Sequence, residues 1–346
     1  MAMVDVIIPL YNKQATIQRA IRSVQSQTFT DWRLIVVDDG STDQGPQIVD
    51  QMRRQDRRIE LIGQSNAGPG AARNAGISAA TASCLAFLDA DDQWYPWHLQ
   101  EAVPILQNNN VAMAGAAYHQ WPGQTDVRDL WAGRGISPGT YQIKGDESAE
   151  WVEAFVVLFH VDTTVVRTDI ARRYGGFFEQ GCRHGEDIIF FAKIIFNESF
   201  ALLGGKPAAR YNRQDSELTS TYAFSLNPML LDPTILLNSC PAEKRDLARN
   251  MLARLALRTA FHKARNGYKA DALKLVQLHP HMKTFGRAWY VCRFAITFSR
   301  ILPYWVKLKC RIGPPVRKRL RLLGYTLKLL EPPPSISPLD STDNKP

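Results

Sequence analysis

Paired cysteines are missing from this 346-residue chain. Its five cysteines, Cys84, Cys182, Cys240, Cys292 and Cys310, are odd in number and widely spaced, with no CxxC pair. That pattern argues against a disulfide framework or a zinc site and fits a reducing cytoplasm. Long uncharged apolar runs are missing too. No stretch approaches the roughly 18 apolar residues that a membrane helix needs. The opening "MAMVDVIIPLYNK" has no basic leader ahead of an apolar core, so it reads as a strand rather than a signal peptide. Neither GxGxxG nor GxxxxGK[ST] occurs, so neither a dinucleotide fingerprint nor a Walker loop is expected. There is no internal repeat. One further absence is local: Asp and Glu are absent from Lys283 to Leu330, where twelve Lys and Arg occur. The whole chain carries +9, so the remainder is net negative by three. The basicity therefore belongs to one segment and points to a local anionic partner.

What is present is an ordinary globular balance, 45% hydrophobic and 22% charged. The first hundred residues alternate strand and helix signals. "VDVIIPL" (4–10), "RIELIG" (58–63) and "CLAFLD" (84–89) read as strands, and "RLIVVDDGSTD" (33–43) as a strand ending in acids and turn residues. Between and after them, 15–27, 45–55, 68–80 and 96–107 read as helices, two of them with Pro near the first turn. Alternation of this kind predicts βαβ units, a mostly parallel sheet and a ligand site beyond the carboxyl ends of its strands. Residues 111–166 mix short β-like pieces with Gly, Pro and Trp and predict loops with a few strands. Residues 183–196 predict a helix that opens on two acids, which suits its positive end. Residues 241–278 read as helical. The Pro- and Ser-rich end, 331–346, reads as disordered.

The acids cluster at strand ends. "FLDADDQWYP" places Asp89, Asp91 and Asp92 directly after a buried strand. Like charges packed there raise one another's pKa unless a cation is present. Oxygen donors of this type suit magnesium or manganese, usually shared with phosphate oxygens. The plain alternative is a solvated acidic loop. "VVDDGSTD" places Asp39 before Gly40, where a carboxylate can accept N–H groups of a base or hydroxyls of a ribose; the plain alternative is an Asx turn. "NAGPGAARNAG" offers Gly backbone near a helix start and Arg73 one turn in, a residue type suited to diphosphate.

"VIIPLYNK", "SVQSQTFTDWRLIVVDDGSTD", "NAGPGAARNAG", "FLDADDQWYP" and "GGFFEQGCRHGEDIIFFAKI", in this order and spacing, resemble the family 2 glycosyltransferases of the GT-A fold, over roughly residues 3–215. The resemblance implies an α/β fold with a Rossmann-like, mostly parallel sheet flanked by helices. It implies a catalytic domain over 1–220; composition and charge place a helical, basic, membrane-docking extension over 221–330 after it. It further implies that Pro9, Tyr11 and Asn12 flank the nucleotide base and that Asp39 recognises it, usually as uracil. Arg73 then lies near the nucleotide. Asp89 and Asp91 form the DxD motif that holds ribose and the metal-bound diphosphate, with Mn2+ or Mg2+ as cofactor; whether Asp91 or Asp92 is the direct ligand stays open. Asp187 of "GED" matches the catalytic base, with Glu186 beside it.

The expected activity is transfer from a nucleotide-sugar donor, with inversion, to a saccharide or lipid-linked acceptor. The QxxRW motif of processive synthases is absent, "YNRQDSELTSTY" standing in that region, so one sugar or few per encounter are expected. A polyprenyl-phosphate acceptor, with Arg210 and Arg213 as its cations, is one alternative. A catalytically idle nucleotide-sugar-binding module is another. His119, Trp121, Trp131 and Trp151 are candidate sugar-stacking walls or core residues. The aromatics among the C-terminal cations favour an anionic membrane surface over nucleic acid, with the protein peripheral on the cytoplasmic face.

Overall fold

The computed structural model describes residues 2–107, 111–123, 125–177, 185–212, 214 and 225–299. Outside them lie Cys182, Cys310, Arg213, the expected disordered tail and the expected basic extension from residue 300 onward.

The opening βα units form as their periodicity requires. Strands Val4–Leu10 (β1), Trp32–Asp38 (β2), Ile59–Gly63 (β3) and Cys84–Phe87 (β4) are linked by helices Ile17–Gln25 (α1), Gly45–Gln55 (α2) and Pro69–Ala79 (α3). β1 is buried along its length except at Pro9, as expected of a strand covered on both faces. α1 buries Ile17, Ala20, Ile21 and Val24, the stripe that recurs every three to four residues. α3 lies unusually close to β1. A methyl group added at Gly76 would come within 2.5 Å of Ile7 Cγ2, so only glycine allows that approach.

The chain continues through Gln93–Trp94 (β5), His98–Gln107 (α4), Met113–Gly115 (β6), Tyr118–Trp121 (β7) and Thr125–Asp126 (β8). Next come Arg128–Ala132 (α5), Gly139–Tyr141 (β9), Ala149–Leu158 (α6), Thr164–Arg167 (β10) and Thr168–Arg173 (α7). Glu186–Asn197 (α8), Phe200–Leu202 (β11), Ala209–Asn212 (β12), Pro228–Leu231 (α9) and Thr234–Leu237 (α10) follow. Arg245–Arg265 (α11), Lys269–Leu278 (α12) and Arg287–Thr297 (α13) complete the described elements.

The main sheet has the order β3-β2-β1-β4-β10-β6-β11-β9. β3, β2, β1, β4, β6 and β11 run one way; β10 and β9 run antiparallel. The mostly parallel sheet flanked by helices is therefore the architecture found. A smaller sheet, β5-β12-β7-β8, lies beside the strand-end region because β5 follows β4 after only a few residues. The segment 111–166 does contain short strands, and it also holds α6, which the sequence reading did not expect.

The chain divides into two compact units, Met1–Arg249 and a second beginning at Asn250. Within the second, Cys292 Sγ of α13 donates weakly to Leu257 O of α11 at 3.9 Å. Cys84, Cys240 and Cys292 are buried and unbridged. Among the described residues, no helix is long and apolar enough to cross a membrane.

Candidate active site

The site lies at the carboxyl ends of β1, β2 and β4, and the connecting segments bring distant residues to it. β10 runs beside β4, so the single helical turn that precedes it, Val161–Thr163, places Asp162 against the end of β4. The Asp89 N–H donates to Asp162 Oδ1 at 2.7 Å, and Trp94 Nε1 donates to Asp162 O at 2.6 Å. β12 pairs with β5, which brings Asn212 to the same place. Asn212 N–H donates to Asp92 Oδ1 at 2.5 Å and Asn212 Nδ2 donates to Asp91 O at 2.9 Å. Arg19 of α1 donates to that same Asp91 carbonyl.

Asp89, Asp92 and Asp162 each place one carboxylate oxygen within 4.8 Å of the other two. Asp92 and Asp162 are 1% exposed, and an oxygen of each, Oδ2, is buried with no hydrogen-bond donor. Burial pushes both carboxyls above the usual range; Asp162 and Asp91 add to the effect on Asp92, and Asp89 adds to it on Asp162. The nearby His160 Nδ1 lies 3.4 Å from Asp162, and burial lowers its pKa. Hard oxygen donors, clustered and partly orphaned, are what a divalent cation requires. The donor set therefore fits magnesium or manganese. Asp91 points differently: its carboxylate meets Lys13 Nζ at 2.9 Å. Burial and Asp89 raise its pKa, and Lys13 opposes them. In this arrangement Asp92, rather than Asp91, joins Asp89 in the cluster.

Arg73 of α3 links the cluster to α8. It is 4% exposed; Nη2 donates to Asp89 Oδ1 at 2.5 Å and Nη1 to Glu186 Oε1 at 2.8 Å. Burial alone would lower its pKa, but Asp89 and Glu186 outweigh it and hold the guanidinium charged. Gly185, in the left-handed region at φ 78°, turns the chain into α8 so that Glu186 and Asp187 occupy its first turn. Asp187 Oδ1 accepts from Ile188 N–H. Its pKa is pushed up to about 6 by burial and by Glu186, against the opposing pull of Arg73 and His160.

The residues expected around a nucleotide base gather a short distance along the sheet edge. Asp39 N–H donates to Leu10 O, joining the ends of β2 and β1. The Asp39 carboxylate accepts from Gln64 Nε2, Ala67 N–H and Gly68 N–H at 2.8–2.9 Å, so it organises the turn that leads into α3. Asn12, at φ 52°, accepts from Thr42 N–H. Tyr11 is 48% exposed and Pro9 is half-buried at the end of β1. Thus Arg73, Asp89, Glu186 and Asp187 form one constellation and Pro9, Tyr11, Asn12 and Asp39 a second, with Lys13 reaching from the second to Asp91.

Sequence reasoning missed Lys13, His160, Asp162 and Asn212. Lys13 stood within the quoted "YNK" and, with Arg73, brings positive charge to the strand-end acids. Asp162 and Asn212 carried no local signal, since only strand pairing brings them in. Of the aromatic candidates, Trp131 is buried and Trp151 packs on Tyr141 and Phe155, as core residues do. His119 shares a hydrogen bond with Tyr95 Oη, and Trp121 carries the Arg210 guanidinium 3.8 Å from its ring centroid.

Residues 5–175 match the family described as glycosyl transferase family 2. That stretch, about half of the chain, belongs to the family. Among curated relatives, an uncharacterized glycosyltransferase of Nostoc is 44% identical over 117 residues, 34% of this chain and 36% of the relative. The uncharacterized glycosyltransferase YibD of Escherichia coli is 30% identical over 202 residues, 56% of each chain. The chain thus spans between about a third and just over half of these relatives' length. Two solved structures share the fold. Staphylococcus aureus TarS 1–349 in complex with UDP-GlcNAc superposes with a TM-score of 0.62 at 18% identity, over 88% of this chain and 92% of that one. The mannosyltransferase PcManGT of Pyrobaculum calidifontis, in complex with GDP-Man and Mn2+, gives 0.54 at 18% identity, over 88% of each chain. These likenesses place the family 2 chain in the GT-A fold.

Proposed function

We propose that this family 2 chain transfers a single sugar from a nucleotide-diphosphate donor, a UDP-sugar in the first instance, to a saccharide or lipid-linked saccharide. The reading adds inversion at the anomeric carbon, dependence on Mn2+ or Mg2+, and a place in surface polysaccharide or glycolipid synthesis at the cytoplasmic face of a membrane. The observation that carries it is the carboxylate cluster at the end of β4, joined through Arg73 to the first turn of α8. Donor-side and acceptor-side chemistry are thereby held in one rigid frame.

Asp89, Asp92 and Asp162 would hold the cation, with Asp91 kept beside Lys13 at the rim. A divalent cation bound there would neutralise the charge that builds on a departing diphosphate. Asp187 then acts on the acceptor. A carboxylate with a pKa near 6 is ionised at neutral pH yet more basic than an ordinary one, which suits removal of a hydroxyl proton. Arg73 holds Asp89 and Glu186 in place. Asp39 and Asn12 shape the turns that would flank a base, with Tyr11 exposed beside them. For a polyprenyl-phosphate acceptor, Arg210 is the one of the two expected cations that lies among the described residues, stacked on Trp121 and bonded to Asn212.

Calorimetric titration with UDP tests the donor site. Binding in Mn2+ that weakens by about ten-fold or more in EDTA supports the reading. Binding of equal strength in both, or none of UDP or GDP in Mn2+, contradicts it.

A further inference from the structure

α13 is amphipathic in an unusual sense. Its inner face buries Trp289, Cys292, Ala295 and Ile296. Its outer face carries Tyr290, Phe294 and Phe298, which are 74%, 61% and 42% exposed. Spaced four residues apart, these side chains form one ridge along the helix and its C-terminal cap, with the Phe294 and Phe298 rings 4.6 Å apart. Arg287 and Arg293, both exposed, flank the ridge, and no acid lies on the helix. A soluble surface rarely leaves three neighbouring aromatics in water, and such a patch marks a docking site.

Charge identifies the occupant. From Asn250 to Ser299 the sequence has nine Lys and Arg and a single acid, Asp271, which is already paired with Lys263 at 2.9 Å. The chain continues from Arg300 for 47 residues, and its first 31 add nine more Lys and Arg and no acid. Aromatics with interleaved arginines suit the boundary between lipid headgroups and acyl chains, where the rings enter and the guanidinium groups reach phosphate. A surrounding excess of cations adds attraction to an anionic leaflet. A protein partner of acidic surface would satisfy the charge but has no need of a continuous aromatic ridge.

We propose that the outer face of α13 docks on an anionic lipid bilayer through Tyr290, Phe294 and Phe298, with Arg287 and Arg293 at the headgroups. This deepens the proposed transferase reading, since it rests on that reading for its purpose: a docked enzyme meets a lipid-linked acceptor in two dimensions. The contact itself stands on the helix alone.

The test is flotation of the full chain with vesicles of phosphatidylcholine, with and without phosphatidylglycerol. The wild-type protein should float with the anionic vesicles and be released as salt rises. Combined Tyr290→Ser, Phe294→Ser and Phe298→Ser substitution should cut partitioning about ten-fold or more, with the circular-dichroism melt unchanged because the residues are exposed. Three results overturn the proposal. The wild type stays unbound at low salt; the triple variant floats as the wild type does; or the triple variant converts a dimer to a monomer on sizing, which makes the ridge a contact between two copies. Mn2+-dependent hydrolysis of UDP-sugar in solution is measured in parallel. Normal hydrolysis without flotation removes the docking alone, whereas flotation without hydrolysis by the wild type removes the transferase reading.

Discussion

Asp187 and Asp162 are both carboxyls raised by burial, and their partners set them to different work. Asp187 faces Glu186 and lies within reach of Arg73's field, and its pKa is pushed up to about 6. As a base it acts only when ionised, so transfer should fall as pH drops through about 6 and level off above it. Asp187→Asn should cost about 10²- to 10⁴-fold in turnover and remove that acidic limb, while donor binding in Mn2+ is kept. An Asp187→Asn enzyme with wild-type turnover and pH profile would move the base elsewhere, first to Glu186. Asp162 is the residue that no motif announced. Asp162→Asn keeps an oxygen for the Asp89 N–H and removes only the charge. Manganese affinity should drop by at least about 10- to 100-fold, the loss that even supporting groups around metals cause, since a donor carboxylate is removed. The melting temperature without metal should hold or rise, because an unfavourable buried carboxyl has gone. Unchanged metal affinity would take Asp162 out of the site.

At the scale of elements, the distance between α3 and β1 controls Arg73. Gly76 follows Arg73 by three residues, within one turn of the helix, and its Cα lies against Ile7. Gly76→Ala should therefore push α3 outward. The expected cost is about 1–3 kcal/mol in thermal unfolding, with weaker UDP binding in Mn2+ as Arg73 loses its hold on Asp89. Full stability together with full binding would mean that the helix packing does not position the arginine. The same elements explain what could be read in advance. α2 was expected over 45–55 and occupies Gly45–Gln55, and β1 was expected over 4–10 and occupies Val4–Leu10. In both, a regular hydrophobic pattern faces a continuous core. β6, β7 and β9 are only three or four residues long and pair with strands far away in sequence, and β8 is a two-residue edge strand on β7, so no period can reveal them. α6 escaped for another reason. It buries Val152, Glu153, Ala154, Phe155, Val156 and Leu158, nearly every side of the helix, and so lacks an amphipathic stripe. The strand-end acids were legible because strand and motif coincide in sequence. Asp162 and Asn212 were not, because β10 and β12 deliver them through pairing alone.

Across the whole molecule, opposite charges are kept in separate stretches of chain. The acidic constellation and its arginine fall within Met1–Arg249, and the cationic excess falls after Asn250. Donor chemistry can therefore be assayed in solution without lipid, independent of what the C-terminal part binds. The most direct measurement is a screen of nucleotide-sugars with the full-length protein in Mn2+, read by mass spectrometry for the released nucleoside diphosphate and for sugar on water or on an added acceptor. A metal-dependent transferase of this kind turns over at least one UDP-sugar, loses that turnover in EDTA, and loses it in Asp89→Ala. Turnover that persists in EDTA or in Asp89→Ala, or no nucleoside diphosphate released from any UDP- or GDP-sugar, would contradict the proposed function.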